Sequence, residues 1–152
     1  MEIQEEIVEV GVKNVSPNNL PVYAKTGDSG MDVRANISES IVIGPFERVL
    51  IPTGLYVELP IGYEIQVRPR SGNALKKGLT VLNTPGTIDA GYRNEIGVIL
   101  FNTGKESQVI EPGERIAQFV LQKVPKIKWI PKEEIDTNTD RGEGGYGHTG
   151  NK

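Results

Sequence analysis

Residues 41–68 read IVIGPFERVLIPTGLYVELPIGYEIQVR, and this stretch decides the fold. Short runs rich in Val, Ile, Leu and Tyr follow one another, punctuated by turn signals such as GPFE and LPIG. Runs of this length, rich in β-branched residues and interrupted by Pro and Gly, are typical of strands joined by tight turns. The stretch therefore predicts consecutive short strands.

The same pattern extends outward to both sides of this stretch. Further strand-like runs are IVEVGVKNV, MDVRA, LTVLN, EIGVILFN, SQVIE, RIAQFVLQKV and KIKWI. NALKKG is the one short patch that favours a helix, and no repeat or linker divides the chain. The spacing predicts an all-β sandwich, barrel or jelly roll that forms a single domain over residues 1–135.

Residues 136–152 depart from this pattern, because apolar side chains almost vanish after Ile135 and glycines become frequent. A segment of this composition cannot offset its ordering entropy by burial. We therefore expect a flexible C-terminal arm that orders only over a ligand or a neighbouring subunit.

Composition and charge exclude several classes of function. The net charge of −3 argues against broad binding to nucleic acid or membranes. The chain has no cysteine and a single histidine, His148, which argues against thiol nucleophiles, cysteine-ligated zinc and a Ser-His-Asp triad. The N-terminus lacks the layout of a signal peptide, and no run is long enough to span a membrane, so we expect a cytoplasmic protein.

Two stretches contain side chains suited to a nucleotide. In PRSGNALKKG, Arg70 and the turn at Ser71-Gly72 form either a phosphate cradle or an ordinary turn with a surface arginine. In NTPGTIDAGYRNEIGVIL, Asn83 suits a pyrimidine edge and Asp89 suits a general base, while Tyr92 suits packing against a sugar. The alternative for this second stretch is a β-hairpin in which Asp89 serves the turn.

Three further stretches carry charged, amide or aromatic side chains that suit a ligand-binding site. In AKTGDSGMDVRA we expect a buried ion pair between Asp32 and an arginine. In EPGERIAQFVLQ, Arg115 and Gln118 should lie on opposite faces of a strand. In RGEGGYGHTG, Arg141 can form a bidentate pair with phosphate, while Tyr146 can stack on a base; the alternative is a disordered terminus.

In order and spacing these five stretches resemble the five motifs of the trimeric dUTPase family. The resemblance implies a jelly-roll (distorted β-barrel) subunit, assembled as a homotrimer in which all three chains contribute to each active site. It further implies that the 136–152 arm closes over a neighbouring subunit's site. The implied reaction is hydrolysis of dUTP to dUMP and pyrophosphate, which keeps uracil out of DNA and supplies dUMP for dTMP synthesis.

The resemblance also assigns roles to individual residues. Asp89 is implied as the base that orients water for attack at the α-phosphate, with Tyr92 beneath the deoxyribose. The uracil readers are implied to be Asn83, Gly86, Thr87, Ile88 and Gly97. The phosphate ligands are implied to be Arg70, Ser71, Gly72 and Gln118, supported by Asp32 and Arg115. From the arm, Arg141, Gly147, His148 and Thr149 are implied to grip the terminal phosphate, with Tyr146 over uracil.

The implied cofactor is Mg²⁺, held through the triphosphate and water rather than by a protein ligand cluster. The chain departs from the family pattern at Tyr146, where phenylalanine is usual, at His148, where serine is usual, and at Asn94, where glycine is usual. We expect the turn at Asn94 to survive, and the backbone N–H of His148 to act rather than its ring.

Two other functions fit the same fold. A dCTP deaminase is disfavoured because GVILFN carries only aliphatic residues where that enzyme has a catalytic glutamate. A regulatory protein, such as a phage-type dUTPase that docks on a repressor, is disfavoured as a purely non-catalytic role because every catalytic position is retained. An additional regulatory partner is left open by the sequence.

Overall fold

A computed structural model describes residues 4–152. Within this range there are eleven strands and one short helix. The elements are β1 Gly11–Asn14, β2 Gly30–Arg34, β3 Ile41–Ile43, β4 Arg48–Pro52, β5 Leu55–Glu58, β6 Tyr63–Arg68, α1 Ser71–Lys77, β7 Leu79–Val81, β8 Gly86–Ile88, β9 Gly97–Asn102, β10 Gln108–Ile110 and β11 Arg115–Lys123.

All the strand pairs are antiparallel, and they form two larger sheets and two two-stranded sheets. The four-stranded sheet has the order β2-β11-β6-β8, and the three-stranded sheet has the order β4-β9-β7. The remaining pairs are β1-β5 and β3-β10. This architecture confirms the predicted all-β jelly roll.

Aliphatic side chains from both larger sheets fill the core. Strand alternation sends every second residue inward, so that in β9 Val98 and Leu100 are buried while their neighbours face outward. Ile51 from β4 and Ile116 from β11 meet them in the same cluster. The core therefore lies between the two larger sheets, and polar residues at strand ends are left for the surface.

The prediction of a strand at KIKWI is wrong. Residues 124–135 contain no strand, and Ile127, Trp129 and Ile130 are 72%, 80% and 65% exposed. This segment follows β11, whose two edges are already paired with β2 and β6, so β11 offers it no free edge. The segment therefore stays outside the sheets, with its apolar side chains exposed among charged ones.

The alternative interpretation of NTPGTIDAGYRNEIGVIL as a simple β-hairpin does not match the structure. β7 and β9 do pair, with Val81 opposite Leu100. The connection between them crosses to the other large sheet, where its own strand β8 pairs with β6, Gly86 lying opposite Val67. The sequence signal missed β8 because it is only three residues long and flanked by turn residues.

The N-terminal segment is bound to the start of β6 and to the end of β11. The Glu6 carboxylate accepts a hydrogen bond of 2.9 Å from the Tyr63 hydroxyl and lies 2.7 Å from Lys123 Nζ. These three residues are called the N-terminal clasp. The hydrogen bond from Lys123 lowers the pKa of Glu6, and the same contacts with Glu6 raise the pKa values of Lys123 and Tyr63.

None of the helices described is long and apolar enough to cross a membrane.

Candidate active site

Side chains from three adjacent strands meet at one edge of the four-stranded sheet. Gln118 on β11 lies opposite Asp32 on one side and Arg68 on the other. Arg70, which follows β6, places Nε 3.0 Å from Asp32 Oδ1. Gln118 donates a hydrogen bond of 3.0 Å from Nε2 to the carbonyl oxygen of Pro69. The fold thus brings three residues of distant motifs together.

Arg115 joins the same cluster, contrary to the simple expectation of opposite faces. Its guanidinium lies 3.7 Å from Asp32 Oδ2, although Gln118 is also opposite Asp32. The pairing register shifts between Arg115 and Ala117, and such a bulge offsets strand alternation by one residue. The predicted Asp32–arginine pair exists, but it is not buried, because the Asp32 side chain is 36% exposed.

Ser71 and Gly72 begin α1 immediately after Arg70, and both are exposed. Arg70 is the N-cap residue with extended backbone angles, and its side chain makes no capping hydrogen bond. The first N–H groups of a helix have no partner within the helix. The amides of this turn are therefore able to donate to an anion held beside Arg70.

The second group of predicted residues lies on β8 and the loop after it. Gly86 and Ile88 are buried, while Thr87 between them is exposed. A Cβ atom at Gly86 would lie 3.4 Å from Asn83 Nδ2 and 3.1 Å from Val67 Cβ, so the Asn83 amide rests against the Gly86 backbone. Asp89 is the first residue beyond β8, and it is exposed.

The loop after Asp89 is held by its own hydrogen bonds. The Tyr92 N–H donates to the Asp89 carbonyl oxygen at 3.1 Å, and the Tyr92 hydroxyl donates to the Glu95 carbonyl oxygen at 2.6 Å. The Glu95 N–H donates to the side chain of Asn94 at 2.9 Å. Local hydrogen bonds therefore close the loop around Asn94, and the Tyr92 hydroxyl is held on the Glu95 backbone.

Gly97 opens β9 in the other large sheet, opposite Pro52. A Cβ atom at Gly97 would lie 2.5 Å from Leu50 Cδ1, so a side chain at this position would collide with Leu50. The Leu82 N–H donates to the Ile99 carbonyl oxygen at 2.9 Å, which holds the residue before Asn83 against β9. Gly97 thus has a packing reason to be glycine, in addition to the role predicted for it.

One chain does not bring the two groups together around a single reacting atom. Ile88 lies opposite Ile65, so Asp89 falls beside the start of β6, whereas Arg70 lies beyond its end. The six residue steps from Glu64 to Arg70 span about 20 Å in an extended strand. Asp89 and Arg70 of the same chain are therefore too far apart to act on one phosphate.

The arm makes no hydrogen bond or ion pair with residues 4–135. Successive turns shape it, including a hydrogen bond of 2.8 Å from Arg141 Nε to the Gly144 carbonyl oxygen. Tyr146 is fully exposed, and it has a positive φ of 45°. The His148 N–H donates to the Gly145 carbonyl oxygen, while its ring covers Gly144. Gly147 and Thr149 lie in the same series of turns.

Sequence reasoning missed Arg68, which lines a cavity together with Gln118. A cavity of about 500 Å³ is lined by Gln66, Arg68, Pro69, Thr84, Pro85 and Gln118. Gln66 Oε1 accepts hydrogen bonds of 3.0 and 2.7 Å from the Arg68 guanidinium. The position of Arg68, two residues before Arg70 in the sequence, was the available signal.

The comparisons with known proteins decide the family. A family model described as dUTPase matches residues 16–150. The chain belongs to the dUTPase family. All five polar stretches lie within the matched region.

Other dUTPases resemble this family member over nearly their whole length. Deoxyuridine 5'-triphosphate nucleotidohydrolase of Fusobacterium nucleatum is 56% identical over 143 residues, covering 94% of this chain and 97% of that protein. The protein of the same name from Chlamydia muridarum is 57% identical over 135 residues, covering 89% and 93%. A solved dUTPase structure from Staphylococcus bacteriophage 80alpha, with dUpNHpp, is 28% identical with a TM-score of 0.83, covering 93% and 98%.

Proposed function

We propose that this protein hydrolyses dUTP to dUMP and pyrophosphate, with water attacking the α-phosphate. The observation that carries the proposal is the match to the dUTPase family over residues 16–150. Relatives at 56% and 57% identity carry the name of this activity. Its cellular role would be to keep uracil out of DNA and to supply dUMP for dTMP synthesis.

Asp89 is proposed as the general base. Among residues 4–152, no hydrogen bond or ion pair engages its carboxylate, so both oxygens are available to orient a water molecule and accept its proton. Tyr92, fixed by its hydroxyl on the Glu95 carbonyl, offers a flat surface for the deoxyribose. A ribose 2′-hydroxyl pressed against this rigid ring would be rejected.

The base is proposed to be read by the amide of Asn83 and by backbone groups of Gly86, Thr87, Ile88 and Gly97. An amide side chain both donates and accepts, which matches the O4 and N3–H edge of uracil. The position of Asn83 supports this, because its amide lies next to the backbone of Gly86 in β8.

The triphosphate is proposed to lie against Arg70, Ser71, Gly72 and Gln118. The ion pair of Asp32 with Arg70, reinforced by Arg115, orients the guanidinium before substrate arrives. Orienting charged donors in advance avoids reorganisation as charge develops on the leaving pyrophosphate. From the arm, Arg141, Gly147, His148 and Thr149 would hold the terminal phosphate, while Tyr146 would cover the base.

Mg²⁺ is the proposed cofactor. Among the residues that the structure describes, no group of three His, Cys, Asp or Glu side chains could hold a metal. Magnesium commonly binds substrate phosphates while keeping several waters, so this donor set fits an ion carried by the triphosphate. When bound, the ion would neutralise negative charge on the phosphate oxygens.

The active unit is proposed to be a homotrimer with shared sites. The separation of about 20 Å between Asp89 and Arg70 within one chain supports a site to which two copies contribute. The exposed apolar residues of segment 124–135 and the unattached arm also suit contact with neighbouring copies. A cytoplasmic location and any regulatory partner stay predictions.

The test compares pyrophosphate release from dUTP with release from dTTP, dCTP and UTP, with Mg²⁺ present. Selective turnover of dUTP is the expected result. Absence of dUTP turnover would refute the proposed function, and release of ammonia from dCTP would favour a deaminase. A pull-down with and without dUTP addresses additional protein partners.

A further inference from the structure

Arg68 lies beside the proposed phosphate ligands, and it forms no ion pair among the residues that the structure describes. Arg70 and Arg115, by contrast, both contact the carboxylate of Asp32. Arg68 instead donates from Nε and Nη2 to the amide oxygen of Gln66, at 3.0 and 2.7 Å. A neutral amide holds a guanidinium in place without cancelling its charge. Arg68 therefore keeps its full positive charge for another partner.

The amide of Gln66 is itself oriented from its other end. Gln66 Nε2 donates a hydrogen bond of 2.9 Å to Glu64 Oε1. A carboxylate can only accept a hydrogen bond and a guanidinium can only donate one, so both neighbours require the same placement of the amide oxygen and nitrogen. Glu64, Gln66 and Arg68 are alternate residues of β6 and share one face of the sheet. These three residues, called the β6 ladder, orient Arg68 before any ligand binds.

The hydrogen bonds to Gln66 leave one edge of the Arg68 guanidinium free. A guanidinium has five N–H groups, and the ladder uses the one on Nε and one on Nη2. Within the described part of the chain, the other three have no protein acceptor. They lie along the Nη1–Nη2 edge, where two parallel N–H groups match two oxygens of one phosphate.

The strand register places Arg68 next to a proposed phosphate ligand. Arg68 lies opposite Gln118, and Gln118 lies opposite Asp32 on its other side. Residues directly opposite each other in an antiparallel sheet point to the same face, with Cβ atoms about 5 Å apart. The row therefore runs from Asp32, which holds Arg70, through Gln118 to Arg68.

The cavity of about 500 Å³ described above lies beside Arg68 and Gln118. Its other polar lining residues are Gln66 and Thr84, and none of the described residues that line it is acidic. The volume falls in the usual range for small-molecule sites. An oriented arginine with a free edge, beside a cavity without carboxylates, suits an anion.

We propose that Arg68 is a further phosphate-binding residue, which donates its free edge to the substrate phosphate that Gln118 contacts. Gln66 and Glu64 are positioning residues, because they act only through Arg68. The inference rests on the proposed hydrolysis of dUTP and adds one cationic ligand for the phosphate chain. The chemical step itself is unchanged.

The test measures binding of dUpNHpp, the ligand named with the phage structure, by titration calorimetry. Arg68→Met removes the charge and the N–H groups, so its Kd should rise at least about tenfold, as expected for the loss of charge-assisted hydrogen bonds. The rise should shrink with added salt. The control is Lys105→Met, which removes one positive charge from an exposed loop and should leave Kd unchanged.

Affinity for deoxyuridine separates a phosphate contact from structural damage. Deoxyuridine has no phosphate, so Arg68→Met should bind it as the unmodified protein does. An unchanged Kd for dUpNHpp in Arg68→Met, an equal rise in Lys105→Met, or a matching loss of deoxyuridine affinity would each overturn the proposal. Arg68→Lys is a second variant that keeps the charge but not the paired N–H groups, and its Kd should lie between those of the other two proteins.

A double-mutant cycle tests the ladder. Gln66→Met should raise the Kd for dUpNHpp at least about threefold in the unmodified background and have no effect in the Arg68→Met background. Equal effects in both backgrounds would show that Gln66 does not act through Arg68. Turnover of dUTP by the unmodified protein is measured separately. Its absence would refute the proposed hydrolysis alone, whereas turnover with unchanged binding in Arg68→Met would refute the Arg68 contact alone.

Discussion

At the scale of single residues, the proposed chemistry depends on the Asp89 carboxylate, which makes no hydrogen bond or ion pair within residues 4–152. Asp89 contributes only its backbone carbonyl to the turn, by accepting the Tyr92 N–H. We predict that Asp89→Asn lowers kcat at least about 10²-fold with little change in KM, because an amide cannot accept the proton from water. Pyrophosphate release measures this, with Glu39→Gln as a distant carboxylate-to-amide control. Near-normal turnover of the Asp89 variant would exclude it as the base.

Two glycines with positive φ give a matched pair for stability. Gly54 has φ 71°, and a Cβ atom there would lie 2.8 Å from Ser16 Cβ and 2.9 Å from Asn36 Nδ2. Gly62 has φ 97° with nothing within 4 Å. We predict that Gly62→Ala lowers the free energy of unfolding by about 1–2 kcal/mol through the backbone alone. Gly54→Ala should lower the free energy of unfolding by at least about 2 kcal/mol more, because its Cβ clashes with Ser16 and Asn36. Urea denaturation measures both free energies, and equal losses in the two variants would contradict the packing argument.

At the scale of elements, the arm is separate in its contacts from the body. Since no hydrogen bond or ion pair joins residues 136–152 to residues 4–135, removing the arm after Ile135 should leave the thermal midpoint nearly unchanged. Turnover of dUTP should fall at least about 10²-fold, because the proposed contact of Arg141 with the terminal phosphate is lost. Arg141→Ala in the full chain is the matched control for the loss of charge alone. Full activity of the truncated enzyme would exclude the proposed closure.

The N-terminal clasp predicts a pH dependence of stability. The folded pKa of Glu6 lies below its usual value of 4.5. Its contribution to the free energy of unfolding is therefore complete above pH 4.5, and it is lost as pH falls through the lower folded value. Lys123 has a folded pKa above 10.5, so its contribution is present below 10.5 and is lost as pH rises further. We predict that Glu6→Gln unfolds at lower urea concentration than the unmodified protein at neutral pH. The difference should vanish in strong acid. A difference independent of pH would show that the clasp is not ionic.

Element types were predictable where local pattern and tertiary pairing agree. Runs such as YEIQVR and GVILFN became β6 and β9 because their alternation matches one buried face. KIKWI has the same local pattern, yet it is no strand because both edges of β11 are occupied. The Asp32–Arg70 pair was foreseeable in kind, while its exposure and the bulge at Arg115 depend on packing that no local pattern encodes.

At the scale of the whole molecule, the separation of about 20 Å between Asp89 and Arg70 of one chain supports the proposed assembly from several copies. Under that proposal, the Asp89 and the Arg70 of one site come from different copies. The exposed apolar residues of segment 124–135 and the arm are then surfaces that a neighbouring copy would cover. The proposal therefore implies that a subunit can be stable alone and still be inactive alone.

This arrangement predicts complementation between two inactive variants. Asp89→Asn retains Arg70, and Arg70→Ala retains Asp89, so a site formed between one chain of each kind has both groups intact. If the variants are unfolded together and refolded as an equal mixture, random assembly into closed rings should restore about one quarter of the normal sites. Pyrophosphate release from dUTP measures the recovery, and each variant refolded alone is the control. If the mixture gives no more turnover than the two variants separately, both groups act within one chain and the shared site is wrong.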